Sequence, residues 1–139
     1  MFRNDADPTF DVFDNLIQLR EGGVAEPAAH SYTAEGAGLW TVATYRVLND
    51  EDLHSDHWER HPEGHEVLIA LSGAMDLYLR DHRDGKEPVA TLRPGRSFIV
   101  PPGRWHRLTL REPGDLMALT PRPGTSLEPV GDTTPATED

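Results

Sequence analysis

From Leu39 onwards the chain alternates between short apolar segments and turns rich in Gly, Pro and Asp. Segments such as LWTVATYRVL, AMDLYLRD and RWHRLTLREPG are rich in β-branched, aromatic and leucine side chains, and apolar and polar positions partly alternate in them. That period of two is typical of strands, and each segment ends at a Pro, a Gly or a charged turn. Seven or eight short strands at nearly even spacing predict an all-β barrel or sandwich made of two antiparallel sheets.

The two ends of the chain depart from this pattern. The stretch Thr9 to Arg20 is compatible with a short amphipathic helix or an N-terminal strand, and Glu21 to Ala37 predicts a loop. From Pro121 the chain is rich in Pro, Thr and acidic residues, which is typical of a mobile tail. We therefore expect a single domain with three parts: an N-terminal arm over residues 1–38, the barrel over residues 39–120 and a flexible C-terminal tail over residues 121–139.

Composition narrows the chemistry and the partners. The 139 residues include no cysteine, which excludes disulfides, thiolate metal ligands and a cysteine nucleophile. The formal net charge of -11 repels a phosphate backbone, so we expect no nucleic-acid partner. No apolar run has the length of a membrane span, and the first residues lack the basic-then-apolar pattern of a secretory signal. The expectation is a cytoplasmic protein without membrane contact.

Candidate metal ligands are concentrated between His57 and Glu66. Alternate residues of a strand share a face, so His57, Glu59 and His61 are predicted to point the same way. Pro62 to His65 predicts a turn, after which Glu66 opens the next strand and faces back towards them. Imidazole nitrogens and carboxylate oxygens gathered in this way suit iron, manganese, nickel, zinc or copper.

A second segment of interest runs from Gly95 to His106, with the sequence GRSFIVPPGRWH. Gly95 predicts a turn, the next residues a strand, and the run Pro101 to Gly103 a rigid corner. His106 then lies on the returning strand. Backbone geometry rather than chance packing is expected to hold its imidazole in place.

Together the two segments resemble the two motifs of cupin proteins, G-x5-H-x-H-x4-E-x6-G and G-x5-P-x-G-x2-H. The second motif matches in full, at Gly95, Pro101, Gly103 and His106. The first motif matches in its latter half, at His61, Glu66 and Gly73. Two positions depart from it, since Glu59 replaces the first histidine and Leu53 the leading glycine. The resemblance covers Leu39 to Thr120 and implies an antiparallel double-sheet jelly-roll barrel.

The resemblance also implies a metal site. It assigns His61, Glu66 and His106 as ligands of one divalent ion, with Glu59 at the position of the missing histidine. Two histidines and two carboxylates favour iron(II), manganese or zinc over copper(I), and nickel stays among the candidates. The alternative is a metal-free barrel whose polar residues bind an organic ligand. For Glu59 the alternatives are a carboxylate at the pocket rim, a catalytic base and a partner of Arg104.

Four further residues are candidates for the substrate pocket: Arg104, Tyr45, Tyr78 and His57. Arg104 precedes His106 by two residues and has the same strand parity. An inward arginine beside a metal suits an anionic or carboxylate-bearing substrate, and a surface salt bridge is the alternative. His57 is either a substitute ligand or a surface residue. No residue is assigned a catalytic role.

The function implied by the resemblance is a metal-dependent enzyme acting on a small organic molecule, with oxygenase, isomerase and cyclase chemistry all open. The alternative is a non-catalytic module that binds a small molecule or a metal. Trp58 and Trp105 each neighbour an inward residue, so alternation predicts that both rings face outwards. Large outward aromatic rings need a partner surface, and we therefore expect a homodimer.

Overall fold

The computed structural model describes residues 7–30 and 39–131, and these residues form strands joined by turns. The strands are β1 (Asn15–Arg20), β2 (Val24–Ala29), β3 (Trp40–Val47), β4 (His57–Arg60), β5 (Glu66–Ala70), β6 (Ala74–Leu79), β7 (Ala90–Leu92), β8 (Ser97–Val100), β9 (His106–Glu112), β10 (Gly114–Pro121) and β11 (Ser126–Pro129). Short 3-10 helical turns occur at Asp50–Leu53 and Arg83–Gly85. Within the described residues, no helical segment has the length and apolar character of a membrane span.

The strands form two antiparallel sheets that face each other. One sheet has the order β2-β1-β3-β10-β5-β8 and the other the order β11-β4-β9-β6-β7. Among the described residues no strand pairing joins the two sheets, so hydrogen bonding does not close them into a barrel. The prediction of an all-β, double-sheet jelly roll is confirmed.

The inner faces of β5, β9 and β10 explain where the site lies. Each of these strands places a buried polar residue near one end and a buried apolar residue two positions further along. The pairs are Glu66 and Leu68, His106 and Leu108, and Thr120 and Ala118. Because the pleat has a period of two, both members of a pair share the inner face. The interior is therefore polar at one end and apolar beyond it.

The N-terminal segment contributes a β-hairpin to the six-stranded sheet. β1 pairs with both β2 and β3, which agrees with the strand alternative for this stretch. The expectation of a loop over Glu21 to Ala37 was wrong at Val24–Ala29, which is β2. β2 is an edge strand with almost every residue exposed, so backbone hydrogen bonds to β1 rather than an apolar face hold it. The remainder of that stretch, residues 31–37, lies outside the described residues.

Part of the expected C-terminal tail is also ordered in a sheet. Ser126–Pro129 forms β11, which pairs with β4 at the edge of the five-stranded sheet. A segment rich in Pro and Thr carries little apolar signal, and its pairing depends on main-chain hydrogen bonds that composition does not reveal. Residues 132–139 lie outside the described residues, and the domain boundaries as a whole stay a prediction.

The outward-facing tryptophans are covered within the chain itself. Trp58 is buried, and a Cβ added at Gly85 would come within 2.7 Å of its ring. The guanidinium groups of Arg80 and Arg107 lie 5.9 and 5.3 Å from the centre of that ring. Trp105 is half-buried, with Arg80 4.6 Å from its ring centre. The argument that Trp58 needs a partner surface was therefore wrong, and the homodimer stays a prediction.

Two motif glycines differ in what surrounds them, which gives a test of the fold. Gly73 has a φ of 71°, and a Cβ there would lie 2.5 Å from the carbonyl oxygen of Pro113. Gly95 has a φ of 81° with nothing within 4 Å. We expect Gly95→Ala to lower the free energy of unfolding by about 1 kcal/mol, the cost of the left-handed backbone alone. Gly73→Ala should lower it clearly more, because the neighbouring backbone must move as well. Urea denaturation of both variants measures the difference, and equal losses would contradict the described turn between β5 and β6.

Candidate metal centre

Four potential ligand residues meet at the polar end of the interior. Glu59, His61, Glu66 and His106 each offer one ligand atom, and these atoms all lie within 4.8 Å of one another. Glu59 belongs to β4, and His61 follows its last residue. Glu66 opens β5 and His106 opens β9. Glu59 lies directly opposite His106 in the β4–β9 register, so strand pairing brings the two motifs together. This cluster could hold a metal ion.

The spacing of the ligand atoms suits a single ion. The Oε1 atom of Glu66 is 2.8 Å from Nε2 of His106 and 3.4 Å from Nε2 of His61. The distance from His61 Nε2 to Glu59 Oε2 is 3.7 Å. Ligands bound at about 2.0–2.2 Å to one zinc-sized ion lie roughly 2.8–3.6 Å apart in tetrahedral or octahedral arrangements. Both distances to Glu66 Oε1 fall in that range, and the contact between Glu59 and His61 lies just beyond it.

A chain of hydrogen bonds sets the orientation of the His61 ring. The Nδ1 atom of His61 is 2.9 Å from the hydroxyl oxygen of Thr125. That hydroxyl donates its one proton to the carbonyl oxygen of Arg122, also at 2.9 Å. Thr125 must therefore accept a hydrogen bond from the imidazole, which places a proton on Nδ1. The neutral ring then presents the lone pair of Nε2 to the cluster.

The other two inner ligands are held in the same manner. The Nδ1 atom of His106 is 3.2 Å from the carbonyl oxygen of Arg104, which can only accept, so Nδ1 carries the proton and Nε2 faces the cluster. The Oε2 atom of Glu66 accepts a 2.6 Å hydrogen bond from the Thr120 hydroxyl, which leaves Oε1 for the cluster. Each side chain is thus fixed by one atom and offers the other, as is usual for metal ligands in proteins.

Two of the four atoms that face the cluster lack a hydrogen-bond partner. Nε2 of His61 and Oε1 of Glu66 are buried and make no hydrogen bond of acceptable geometry. A buried polar atom left unpaired costs about 1–3 kcal/mol. A cation between these atoms would satisfy both of them, whereas an apolar ligand would satisfy neither.

The charge state of the cluster agrees with a need for a cation. Burial raises the pKa of Glu66, but the contacts with His106 and His61 outweigh burial and hold the pKa well below its usual range. Burial likewise lowers the pKa of His106, while the contact with the Glu66 carboxylate and the charge of Glu59 raise it, and the net pKa is raised. The buried carboxylate therefore stays ionised and attracts positive charge, either a proton on His106 or a metal ion.

Arg104 is not positioned as its strand parity suggests. Its guanidinium lies 2.7 Å from Asp81 Oδ1, and the residue does not line the cavity. Of the two alternatives for Arg104, an inward guanidinium and a surface salt bridge, the structure has the salt bridge. The physical reason is that β9 begins only at His106, so the alternation of a strand does not extend back to residue 104. Arg104 contributes its carbonyl to His106 instead of its charge to the pocket.

The cluster opens into a cavity of about 850 Å³ between the sheets. Of the remaining residues predicted for the pocket, Tyr45 and His57 line this cavity. His57 stands outside the ligand cluster, with its Nδ1 atom 2.9 Å from Asp56 Oδ1. Tyr78 does not line the cavity. The side chains of Leu77 and Leu79 occupy the inner face of β6, so the Tyr78 ring faces out and packs 4.6 Å from the guanidinium of Arg107.

Sequence reasoning missed the two threonines behind the ligands. Thr120 shares the inner face of β10 with Ala118, so alternation along that strand gave a usable signal for it. Thr125 gave no such signal, because it follows the last core strand and lies 64 residues from His61. The segment from Arg122 to Thr125 also lines the cavity, although its composition had suggested a mobile tail.

Comparison with known proteins identifies the family. The cupin domain family matches residues 50–120, which is 71 of the 139 residues. No curated protein matches this chain significantly.

Three solved structures are among those similar to this chain. Protein NMB1881 from Neisseria meningitidis is 23% identical over 63% of this chain and 78% of its own, with a TM-score of 0.45. A cupin-2 domain protein from Shewanella frigidimarina is 22% identical over 64% of this chain and 76% of its own, with a TM-score of 0.42. Hydroxypropylphosphonic acid epoxidase from S. wedmorenis is 25% identical over 59% of this chain and 42% of its own, with a TM-score of 0.43. By the family match over half of its length, this chain belongs to the cupin domain family.

Proposed function

We propose that this cupin binds one divalent metal ion through His61, Glu66 and His106 and uses it to act on a small organic molecule in the adjoining cavity. One observation carries the proposal. Buried atoms without hydrogen-bond partners, Nε2 of His61 and Oε1 of Glu66, meet at the end of a cavity large enough for such a molecule. Each of these side chains is oriented by a threonine hydroxyl at its other polar atom.

The donor set limits the identity of the ion. Imidazole nitrogens and carboxylate oxygens suit iron(II), manganese, zinc or nickel, and the absence of sulfur ligands disfavours copper(I). When bound, such an ion supplies a Lewis acid next to the organic molecule. His61 and His106 bind through Nε2, and the protons on their Nδ1 atoms stay with Thr125 and the Arg104 carbonyl.

Glu59 is proposed as the fourth ligand. Its carboxylate shares the cluster but is 30% exposed and makes the longest contact, 3.7 Å to His61 Nε2. Because Arg104 pairs with Asp81, the metal ion rather than Arg104 is the proposed partner of the Glu59 carboxylate. A carboxylate at this position could also act as a base towards a molecule bound in the cavity.

The alternative function is a module that binds its ligand without turnover. Among the described residues that line the cavity, the buried titratable groups are Glu66 and His106, and both belong to the cluster. Turnover would therefore depend on the metal and on Glu59. A screen of small molecules for oxygen uptake and product formation, run on metal-loaded wild type and on His106→Ala, separates the two functions. Binding without any product across the screen would favour the module.

The first prediction concerns metal content. We expect wild type to retain about one equivalent of metal after dialysis and His106→Ala to lose most of it, because the variant lacks one of three inner ligands. Elemental analysis measures the stoichiometry. His57→Ala is the matched control, since it removes an imidazole from the cavity wall but not from the cluster. Metal should also raise the unfolding temperature of wild type and not of His106→Ala. Full stoichiometry in folded His106→Ala would refute the assignment.

A second prediction separates the roles of Glu59. If Glu59 is a ligand, Glu59→Gln should weaken metal affinity by about tenfold or more, because a neutral amide replaces a charged donor. Competition with a chromophoric chelator measures the affinity, and circular dichroism checks the fold. Unchanged affinity would remove Glu59 from the ligand set and leave a base or rim role for it.

The third prediction tests the orientation of His61. Thr125→Val removes the acceptor of the Nδ1 proton, whereas Thr125→Ser keeps it, so the two variants are a matched pair. We expect the valine variant to lose about 10- to 100-fold in metal affinity and the serine variant to stay near wild type. In metal-free protein, nitrogen-15 NMR should show the Nδ1–H tautomer of His61 in wild type and the serine variant. Equal behaviour of the two variants would count against this role for Thr125.

A further inference from the structure

We infer that the molecule bound in this cavity has an apolar body with oxygen donors at one end and no strongly anionic group. The inference rests on the proposed function, because the oxygen donors are expected to meet the metal. Three features of the cavity support it. The wall changes from polar to apolar along the strands, few arginines face the cavity, and a metal-loaded ligand cluster would carry no net charge.

The cavity wall changes from polar to apolar along β5, β9 and β10. On each of these strands, the residue two positions from the buried polar residue is apolar and lines the cavity. These apolar residues are Leu68, Leu108 and Ala118. Leu116 continues the apolar wall on β10, and Leu127 of β11 adds a further apolar side chain. A molecule that extends from the ligand cluster along these strands therefore contacts polar side chains at one end and apolar side chains along the rest of its length. Burial of an apolar body there is favourable in proportion to its area.

The cavity offers little positive charge for an anion. Among the described residues of the wall, the cationic side chains are Arg107 and Arg122. The Arg107 guanidinium is turned to the outer face, 5.3 Å from the Trp58 ring and 3.0 Å from the Ser55 carbonyl oxygen. Phosphate groups and multiple carboxylates are typically bound by several convergent arginines or by helix N-termini. With Arg107 turned outwards, the described wall residues leave Arg122 as one arginine at the cavity rather than several.

The ligand cluster itself adds no attraction for an anion. A divalent ion held by two neutral histidines and the carboxylates of Glu59 and Glu66 has no net charge. Asp52 lines the wall and keeps its carboxylate occupied by the Leu48 amide at 2.8 Å. A neutral or singly charged molecule with two adjacent oxygen donors, such as a hydroxy-ketone or an enolised dicarbonyl, matches this environment. Two oxygen donors would fit a site in which Glu59 does not occupy a coordination position.

Hydroxamates are suitable probes because they combine two oxygen donors with a variable tail. Isothermal titration of zinc-loaded protein would compare acetohydroxamate, hexanohydroxamate and the monohydroxamate of succinate, with zinc retention checked after each titration. Each buried methylene contributes up to about fourfold in affinity, so we expect at least about tenfold tighter binding of hexanohydroxamate than of acetohydroxamate. The succinate probe should bind no tighter than acetohydroxamate.

Two exposed leucine-sized residues allow a matched control. Leu127 lines the cavity and is 58% exposed, whereas Ile99 is 55% exposed and lies outside the cavity. Leu127→Gln should reduce the advantage of the pentyl tail of hexanohydroxamate by several-fold, and Ile99→Gln should leave it unchanged. Both substitutions are at exposed positions, so neither is expected to disturb folding.

The outcomes separate this inference from the proposed function. If the protein takes up neither zinc nor any of the other candidate ions, the metal site and this inference both fail. If zinc binds and acetohydroxamate binds to it, but the longer tail gives no gain or the charged tail binds best, the inference alone is overturned. A tail advantage that Leu127→Gln and Ile99→Gln reduce equally would show adsorption outside the cavity, which also overturns it.

Discussion

The buried carboxylate of Glu66 is the constraint on which the rest of the site depends. An ionised carboxylate away from water is stable only if hydrogen bonds and positive charge replace its hydration. The Thr120 hydroxyl supplies the hydrogen bond to Oε2, and the imidazoles of His61 and His106 surround Oε1. Removal of one neighbour would leave a charge uncompensated inside the protein. A divalent cation between the three side chains satisfies all of them at once, and for this reason the electrostatics and the ligand geometry lead to the same interpretation.

The hydrogen bonds behind the ligands connect the site to the end of the described chain. Thr120 lies in the last core strand, and Thr125 lies in the turn that leads to β11. A Cβ added at Gly124 would lie 2.9 Å from the Pro62 ring, so this turn packs closely against the residue that follows His61. β11 then pairs with β4. The segment that forms β11 and the turn before it therefore also orients the His61 ring, although it is poor in apolar residues.

Three arginines near the site have their partners outside the cavity. Arg80 and Arg107 stack on Trp58 at the outer face of the five-stranded sheet, and Arg80 also pairs with Glu128 at 2.8 Å. Arg104 pairs with Asp81. Guanidinium groups stack well on aromatic rings and pair well with carboxylates, and for these three arginines both kinds of partner lie outside the cavity. Beyond its polar end the cavity wall keeps leucines, and the inferred apolar body of the ligand would lie against them.

The sequence by itself determined the features that depend on neighbours along the chain. The period of two predicted β3 to β10, because strand parity acts over a few residues. The resemblance to the cupin motifs, rather than local spacing, implied that His61, Glu66 and His106 belong together. The tertiary structure decided what depends on distant partners or on where a strand begins. Strand alternation suggested an inward side chain for Arg104, but this residue precedes β9 and does not follow its pleat. It placed Trp58 on the outer face without revealing the loop that covers it. The pairing of Thr125 with His61, like the strands at the sheet edges, rests on long-range hydrogen bonds that no local pattern of side chains encodes.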